Sequence, residues 1–257
     1  MILIKLGGSV ITHKEKYRSL NLKAMERLAS EIADAGKQVV LVHGAGSFGH
    51  VVAHEYDLNQ GYKEKRQLEG VAKVQMDVRD LNQMVMRSLE VADLPAASIP
   101  PGGCALLEDG KLRALDMELF HRYLDLGMVP VTFGDVVLDR VKGFGICSGD
   151  QLIYRLAREF QPERIIFCAD VDGIFTGDPN LDDEAELIER VDRQVLDSLP
   201  RTTRHMDVTG SIYGKIECML RMAESAGSTM VINGLVAGRL ESAIKGESVV
   251  GSTVVGG

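Results

Sequence analysis

Residues 1–12 read MILIKLGGSVIT, and residues 38–50 read QVVLVHGAGSFGH. Each stretch starts as a run of aliphatic, mostly β-branched residues and ends in a glycine turn. Short apolar runs without polar alternation are the pattern of strands buried on both faces of a parallel sheet. A glycine turn at the carboxyl end lets the backbone come close to a ligand, and successive amide N–H groups can then point at anionic oxygens. A helix opening just after Gly49 would add its positive end. Open α/β sheets bind ligands at the carboxyl ends of adjacent strands. Lys5 lies inside the first apolar run, a costly place for a charge unless an anion meets it.

The same alternation continues outward from these two stretches. Residues 128–132, 165–168 and 229–232 read as further buried strands, while 22–35, 67–89, 149–158 and 212–226 read as helices. Leu22, Met25, Leu28, Ala29 and Ile32 recur at helical spacing on one face. The pattern predicts an α/β fold, an open αβα sandwich with a mostly parallel central sheet. Residues 105–138 differ: the brief runs 106–107, 112–115 and 136–138, punctuated by turn residues, read as β-hairpins appended to the main sheet. Gly143, Gly145 and Gly149 suggest an internal boundary, dividing one continuous domain into halves 1–147 and 148–257. Residues 178–189 are acidic and read as a solvated loop.

With 37 acidic against 29 basic residues, the net charge is −8, which argues against a broad nucleic-acid interface. A few lysines in a cleft can still reverse the local field for a phosphorylated small molecule. Cys104, Cys147, Cys168 and Cys218 form no CxxC pair, so reduced thiols in a cytoplasm are expected and a metal centre is not. No stretch nears the ~18 consecutive apolar residues of a membrane helix, and the N-terminal run is too short for a signal peptide.

The second loop also spells GxGxxG. A dinucleotide fingerprint would need a short helix and then a strand ending in an acid about 20 residues on. The residues after Gly49 run HVVAHEYDLNQGYKEKRQLEG, a polar stretch with no strand, and the nicotinamide reading fails there. No GxxxxGK[ST] occurs, which excludes a P-loop.

KLGGSVIT, HGAGSFGH, SGD at 148–150, ADVDGIFTGDP at 169–179 and DVTGSIYGKIE at 207–217 occur in the order found in the amino acid kinase superfamily, which this chain resembles over nearly its whole length. In the last element Ser211 stands where the family's TGGMxxK pattern has its second glycine, and Ile212 where it has methionine. Within the superfamily the chain is most similar to the isopentenyl phosphate kinases, which carry a histidine at the end of the GAGSFGH loop and a lysine soon after the first strand. His50 and Lys14 match. Fosfomycin kinases share much of the pattern and are the rival within the family; a catalytically silent nucleotide-binding regulator is the rival of a different class.

The resemblance implies ATP with Mg²⁺ as cofactors, a small phosphorylated substrate, a homodimer and a cytoplasmic enzyme. It places ATP in the carboxyl-terminal half and the acceptor in the amino-terminal half. Lys5 and Lys215 would contact the ATP phosphates, with Leu6, Gly7, Gly8, Ser9, Gly46, Asp170, Phe175 and Gly210 around the nucleotide. Lys14 would reach the migrating phosphoryl group. His50 would donate to the acceptor phosphate beside the amides of Ala45, Gly46 and Gly149, with Asp150 orienting a lysine. Phosphoryl transfer depends on positioning and on cations, and a phosphate monoester is already largely ionised at neutral pH, so no general base is required. Val71, Val74, Met76, Val78, Met84 and Ile146 are candidates for contact with an apolar tail, most of them better suited to the core.

Overall fold

The computed structural model describes residues 1–14, 16–179, 181–199 and 212–256. The chain starts with β1 (Ile2–Leu6), α1 (Gly8–Ile11), α2 (Leu22–Asp34), β2 (Val39–His43), α3 (Gly46–Glu55), α4 (Gln67–Val91) and β3 (Ala96–Ser98). It continues through α5 (Pro101–Cys104), β4 (Ala105–Glu108), β5 (Lys111–Leu115), α6 (Met117–Asp125), β6 (Val129–Phe133), β7 (Asp135–Asp139) and β8 (Gly143–Cys147). The last part holds α7 (Gly149–Phe160), β9 (Arg164–Ala169), β10 (Ile174–Phe175), β11 (Leu187–Ile188), β12 (Arg190–Val191), α8 (Arg193–Ser198), α9 (Ile212–Ala223), β13 (Ser228–Asn233), α10 (Arg239–Lys245) and β14 (Gly251–Val254).

Eight strands form the central sheet in the order β12-β14-β13-β9-β1-β2-β6-β3. Only the β13–β14 pairing is antiparallel; every other described pairing in this sheet is parallel. The αβα expectation holds. β1 lies between β9 and β2, in register Ile2↔Val39 on one side and Ile2↔Arg164 on the other.

The pleat sorts side chains between two cores, because alternate residues of a strand face opposite ways. Ile2, Ile4 and Leu6 join Val39, Leu41, Ile166 and Cys168 beneath α2, α4 and α10. Leu3 joins Val40, Val42, Ile165 and Phe167 on the side covered by α6, α7 and α9. Lys5 shares the face of Leu3, so it is directed at α7 by the same alternation that buries its neighbours. On α2, Met25, Leu28, Ala29 and Ile32 are buried as the spacing predicts, whereas Leu22 is 48% exposed in the first turn. The Asn21 side chain caps that helix by accepting from the Ala24 amide.

The hairpins assemble into a four-stranded sheet of their own, β5-β4-β7-β8. β6 leaves the central sheet at Phe133 and, after Gly134, the chain becomes β7. One buried carboxylate joins the two hairpin turns: Asp139 accepts from the amides of Asp109 (3.1 Å), Gly110 (2.6 Å), Val141 (2.8 Å) and Lys142 (2.8 Å). β8 was not foreseen, since GFGIC reads as a turn. Its glycine has a packing role: a Cβ on Gly145 would lie 2.9 Å from Leu107 Cδ1. The short helix α6 was also missed, although Met117, Phe120 and Leu124 fall on its buried side.

Candidate active site

The two glycine loops lie against each other backbone to backbone. A Cβ on Gly8 would come within 2.6 Å of both the nitrogen and Cα of Gly46, and one on Gly44 within 2.6 Å of the Gly8 nitrogen. Gly46 takes a left-handed φ of 49°, which turns the chain into α3. The helix therefore starts at Gly46, not after Gly49, and His50 stands in its second turn. Thr12 links the loops: its hydroxyl donates to the Gly8 carbonyl at 2.6 Å and accepts from the Ser47 amide at 3.0 Å.

These loops form the floor of a cavity of about 440 Å³ at the carboxyl ends of β1, β2, β6 and β9. Of the residues chosen from sequence, Lys5, Gly7, Gly8, Ser9, Lys14, Ala45, Gly46, His50, Gly149, Asp150, Asp170 and Lys215 all line it. Leu6 does not, because its side chain is buried in the core. Phe175 stands on β10, outside the lining. Gly210 and the rest of the 207–211 part of the motif lie outside the described residues.

Two of the lysines are held by carboxylates. Lys5 Nζ donates to Asp150 Oδ1 at 2.5 Å and lies 5.6 Å from the Phe167 ring centre. Lys14 Nζ donates to Asp170 Oδ2 at 3.0 Å across the mouth. Burial opposes the charge of Asp170, yet hydrogen bonds from Lys14 and Ser9 and the lysine's charge hold its carboxyl below the usual range. Ser148 caps α7 by accepting from the Gln151 amide, so the amino end of that helix opens into the cavity at Gly149. The amide nitrogens of Ala45 and Gly149 each lie 3.6 Å from the position a Cβ would take on Gly134. With the Cys147 carbonyl oxygen, 3.7 Å from the same point, they border a small cradle that glycine leaves open.

Behind the second loop, His43 is fully buried and stacked on Phe133, with ring centres 5.0 Å apart. Its Nδ1 lies 3.0 Å from the Gly44 carbonyl oxygen, and its Nε2 lies 3.2 Å from Asn82 Nδ2. Ser98 Oγ donates to Asn82 Oδ1. That leaves the Asn82 amide nitrogen as donor, so Nε2 accepts and Nδ1 carries the proton that the Gly44 carbonyl receives. Burial lowers the imidazole pKa to about 4, with the Gly44 bond opposing.

The far end of the cavity is apolar. Val74, Val136, Ala53 and Ile146 line it and pack with Val78, Phe133 and Phe144. Of the tail candidates, Val74 and Ile146 reach the cavity. Val78 is core, Met76 is 62% exposed and Met84 packs under the opposite face of the sheet. Thr12, Gly134 and Asp135 were not singled out from sequence. Thr12 had a legible signal, four residues after Gly8 at the spacing of a hydroxyl back-bond. The other two are placed by contacts distant in sequence.

Residues 1–233 match the family described as Amino acid kinase family. The chain is 39% identical to the isopentenyl phosphate kinase of Methanothermobacter thermautotrophicus, covering 100% of this chain and 99% of that one. Its identity to the isopentenyl phosphate kinase of Thermoplasma acidophilum is 35%, over 91% of this chain and 92% of the other. A solved structure described as "X-ray structures of isopentenyl phosphate kinase" superposes with a TM-score of 0.87 at 36% identity, covering 99% of this chain and all of that one.

Proposed function

This chain belongs to the amino acid kinase family, alongside isopentenyl phosphate kinases, and from that premise we propose that it phosphorylates isopentenyl phosphate with ATP in isoprenoid biosynthesis. The bond between the γ-phosphorus and its bridging oxygen breaks, an oxygen of the acceptor phosphate takes the phosphoryl group, and ADP and isopentenyl diphosphate leave. The observation that carries this reading is the gathering of Lys5, Lys14, His50 and Lys215 around one cavity that ends in an apolar wall. The cationic part suits two phosphorylated ligands placed end to end, and the wall of Val74, Val136 and Ile146 suits a short hydrocarbon tail.

In this mechanism Lys5 and Lys215 neutralise the ATP phosphates, with Asp150 orienting Lys5. The amides of Gly7, Gly8 and Ser9 line the β- and γ-phosphates, with Gly46, Asp170, Phe175 and Gly210 towards the nucleotide. Lys14 leaves Asp170 to follow the migrating group, where charge spreads over its oxygens. His50 donates to the acceptor phosphate, which the amides of Ala45, Gly46 and Gly149 surround. Magnesium brought in with ATP fits a site whose Asp150 and Asp170 are each engaged by lysine, because the phosphates themselves would supply much of its coordination. The acceptor occupies the 1–147 half and ATP the 148–257 half. A cytoplasmic homodimer completes the proposal; no helix among the described residues is long and apolar enough to cross a membrane.

An ADP-release assay tests the reading, with isopentenyl phosphate, fosfomycin, N-acetylglutamate, uridylate and carbamate offered in parallel. Turnover should be strongest with isopentenyl phosphate. Preference for fosfomycin would overturn the substrate assignment, and silence with all five would leave the regulator reading standing.

A further inference from the structure

Lys14 sits on the loop joining α1 to α2, and the base of that loop is anchored to α4. The loop closes on itself through the Thr12–Leu20 bridge and the His13 amide, which donates to the Ser19 carbonyl at 2.9 Å. Tyr17 Oη donates to Asp77 Oδ2 at 2.5 Å, and Arg18 Nη1 donates to Asp77 Oδ1 at 2.8 Å. Arg18 Nη2 reaches Asp80 Oδ2 at 2.5 Å. The guanidinium also lies 5.4 Å from the Phe48 ring centre, and Lys73 Nζ lies 5.1 Å from that of Tyr17. Below, the Arg18 amide donates to the Ser47 carbonyl, and the Ser19 amide to the Ser47 hydroxyl.

Two features of this anchor are costly. Asp77 is 2% exposed, and a carboxylate taken so far from water is tolerated when its oxygens are paired. Arg18 has a φ of 54°, in the left-handed region that residues bearing a Cβ adopt rarely. A buried carboxylate whose partner arginine stays exposed stabilises a fold less well than apolar packing of the same volume. Its position points to another use. Val74, one helical turn before Asp77, lines the apolar end of the cavity, while Lys14, three residues before Tyr17, meets Asp170 at its mouth. The same turn of α4 therefore faces the acceptor wall and holds the lysine loop.

We propose that Asp77, through Tyr17 and Arg18, is a positioning residue that fixes the Lys14 loop at the mouth of the cavity. Asp77 touches neither reactant; it sets where the lysine's loop starts. Burial and the neighbouring carboxylate push the Tyr17 hydroxyl up to about 12, so it stays a donor across the working pH range. The proposal rests on the kinase reading for its kinetic consequence, but the anchoring itself can be measured without turnover.

The test uses Asp77→Asn, Tyr17→Phe, Lys14→Ala and the Asp77→Asn/Lys14→Ala double variant of the full chain. Loosening the loop by about an ångström should lower kcat roughly tenfold to a hundredfold in Asp77→Asn, and less in Tyr17→Phe, with KM for ATP little changed. The double variant should be no slower than Lys14→Ala alone, since a positioning residue has nothing left to position. If the two losses multiply, Asp77 acts independently of Lys14 and the proposal is wrong. Hydrogen exchange of the 13–20 backbone, read without substrate, should quicken in Asp77→Asn and Tyr17→Phe while the sheet stays protected. Unchanged exchange in Tyr17→Phe would overturn the proposal even if Asp77→Asn proved too unstable to study. A wild-type chain inert towards isopentenyl phosphate would sink the substrate reading and leave this exchange test intact.

Discussion

Replacing Gly8 by alanine adds a methyl group where the two glycine loops touch. The new Cβ would lie 2.6 Å from the Gly46 nitrogen and Cα, whereas ordinary contact begins at 3.4 Å. The difference, 3.4 − 2.6, is about 0.8 Å, and both sides of the contact are backbone, so no rotamer change can absorb it. The Thr12 hydroxyl spans the same gap with bonds of 2.6 and 3.0 Å, and a separation of that size would break at least one of them. Overpacking of this kind costs about 1–3 kcal/mol of stability. The catalytic loss should be larger: a misplacement near 1 Å costs on the order of a hundredfold when reaction depends on two anions held end to end. Steady-state kinetics with isopentenyl phosphate and ATP, alongside thermal melting, would measure both effects. Gly103→Ala is the control, because a Cβ there meets nothing within 4 Å. Should Gly8→Ala keep activity within threefold of the parent, the loops do not set the phosphate geometry and the reasoning fails.

His50→Ala should lose most turnover while ATP affinity by calorimetry stays close to wild type; loss of both together would remove His50 from the acceptor end. Acid should unfold the protein in two stages. His43 is held near pKa 4 against an ordinary value of 6.5, so the unfolded chain binds the extra proton first, and stability drains between about pH 6.5 and 4, by on the order of 3 kcal/mol in total. Burial works against the Asp139 charge, but the amides around it hold its carboxyl below the ordinary value, so its contribution is present above about pH 4 and is lost as pH falls further. Urea titrations across pH should show the upper stage flattened in His43→Asn, and an unchanged slope there would mean that His43 is not the group responsible.

Much of the fold was legible because burial on both faces leaves no polar residue to confuse the reading. β1 and β2 were located to within one residue, and Lys5 stood out because it interrupts β1. His50 and Lys14 were legible as residues of a recognised pattern. Other features were hidden by their own chemistry. β8 carries two glycines in five residues, and their fit against Leu107 and Tyr62 depends on strands elsewhere in the chain. α3 starts earlier than expected, its Ser47 amide served by the Thr12 hydroxyl 35 residues away. Neither the Asp77 anchor nor the cradle at Gly134 has a local signature, since each exists only once α4 and β6 are packed.

Two residues of the cavity's apolar wall, Val136 and Ile146, come from the β7–β8 hairpin, which the β4–β5 hairpin backs at Leu107↔Asp139 and at the turns gathered by one carboxylate. The glycine loops belong to other strands. On the proposed function, that part of the hydrocarbon wall would change with a paired cassette, 105–115 as the backing and 135–147 as the lining, exchanged while the loops underneath stay as they are. Half of the cassette would arrive without the partner whose backbone amides its seam requires.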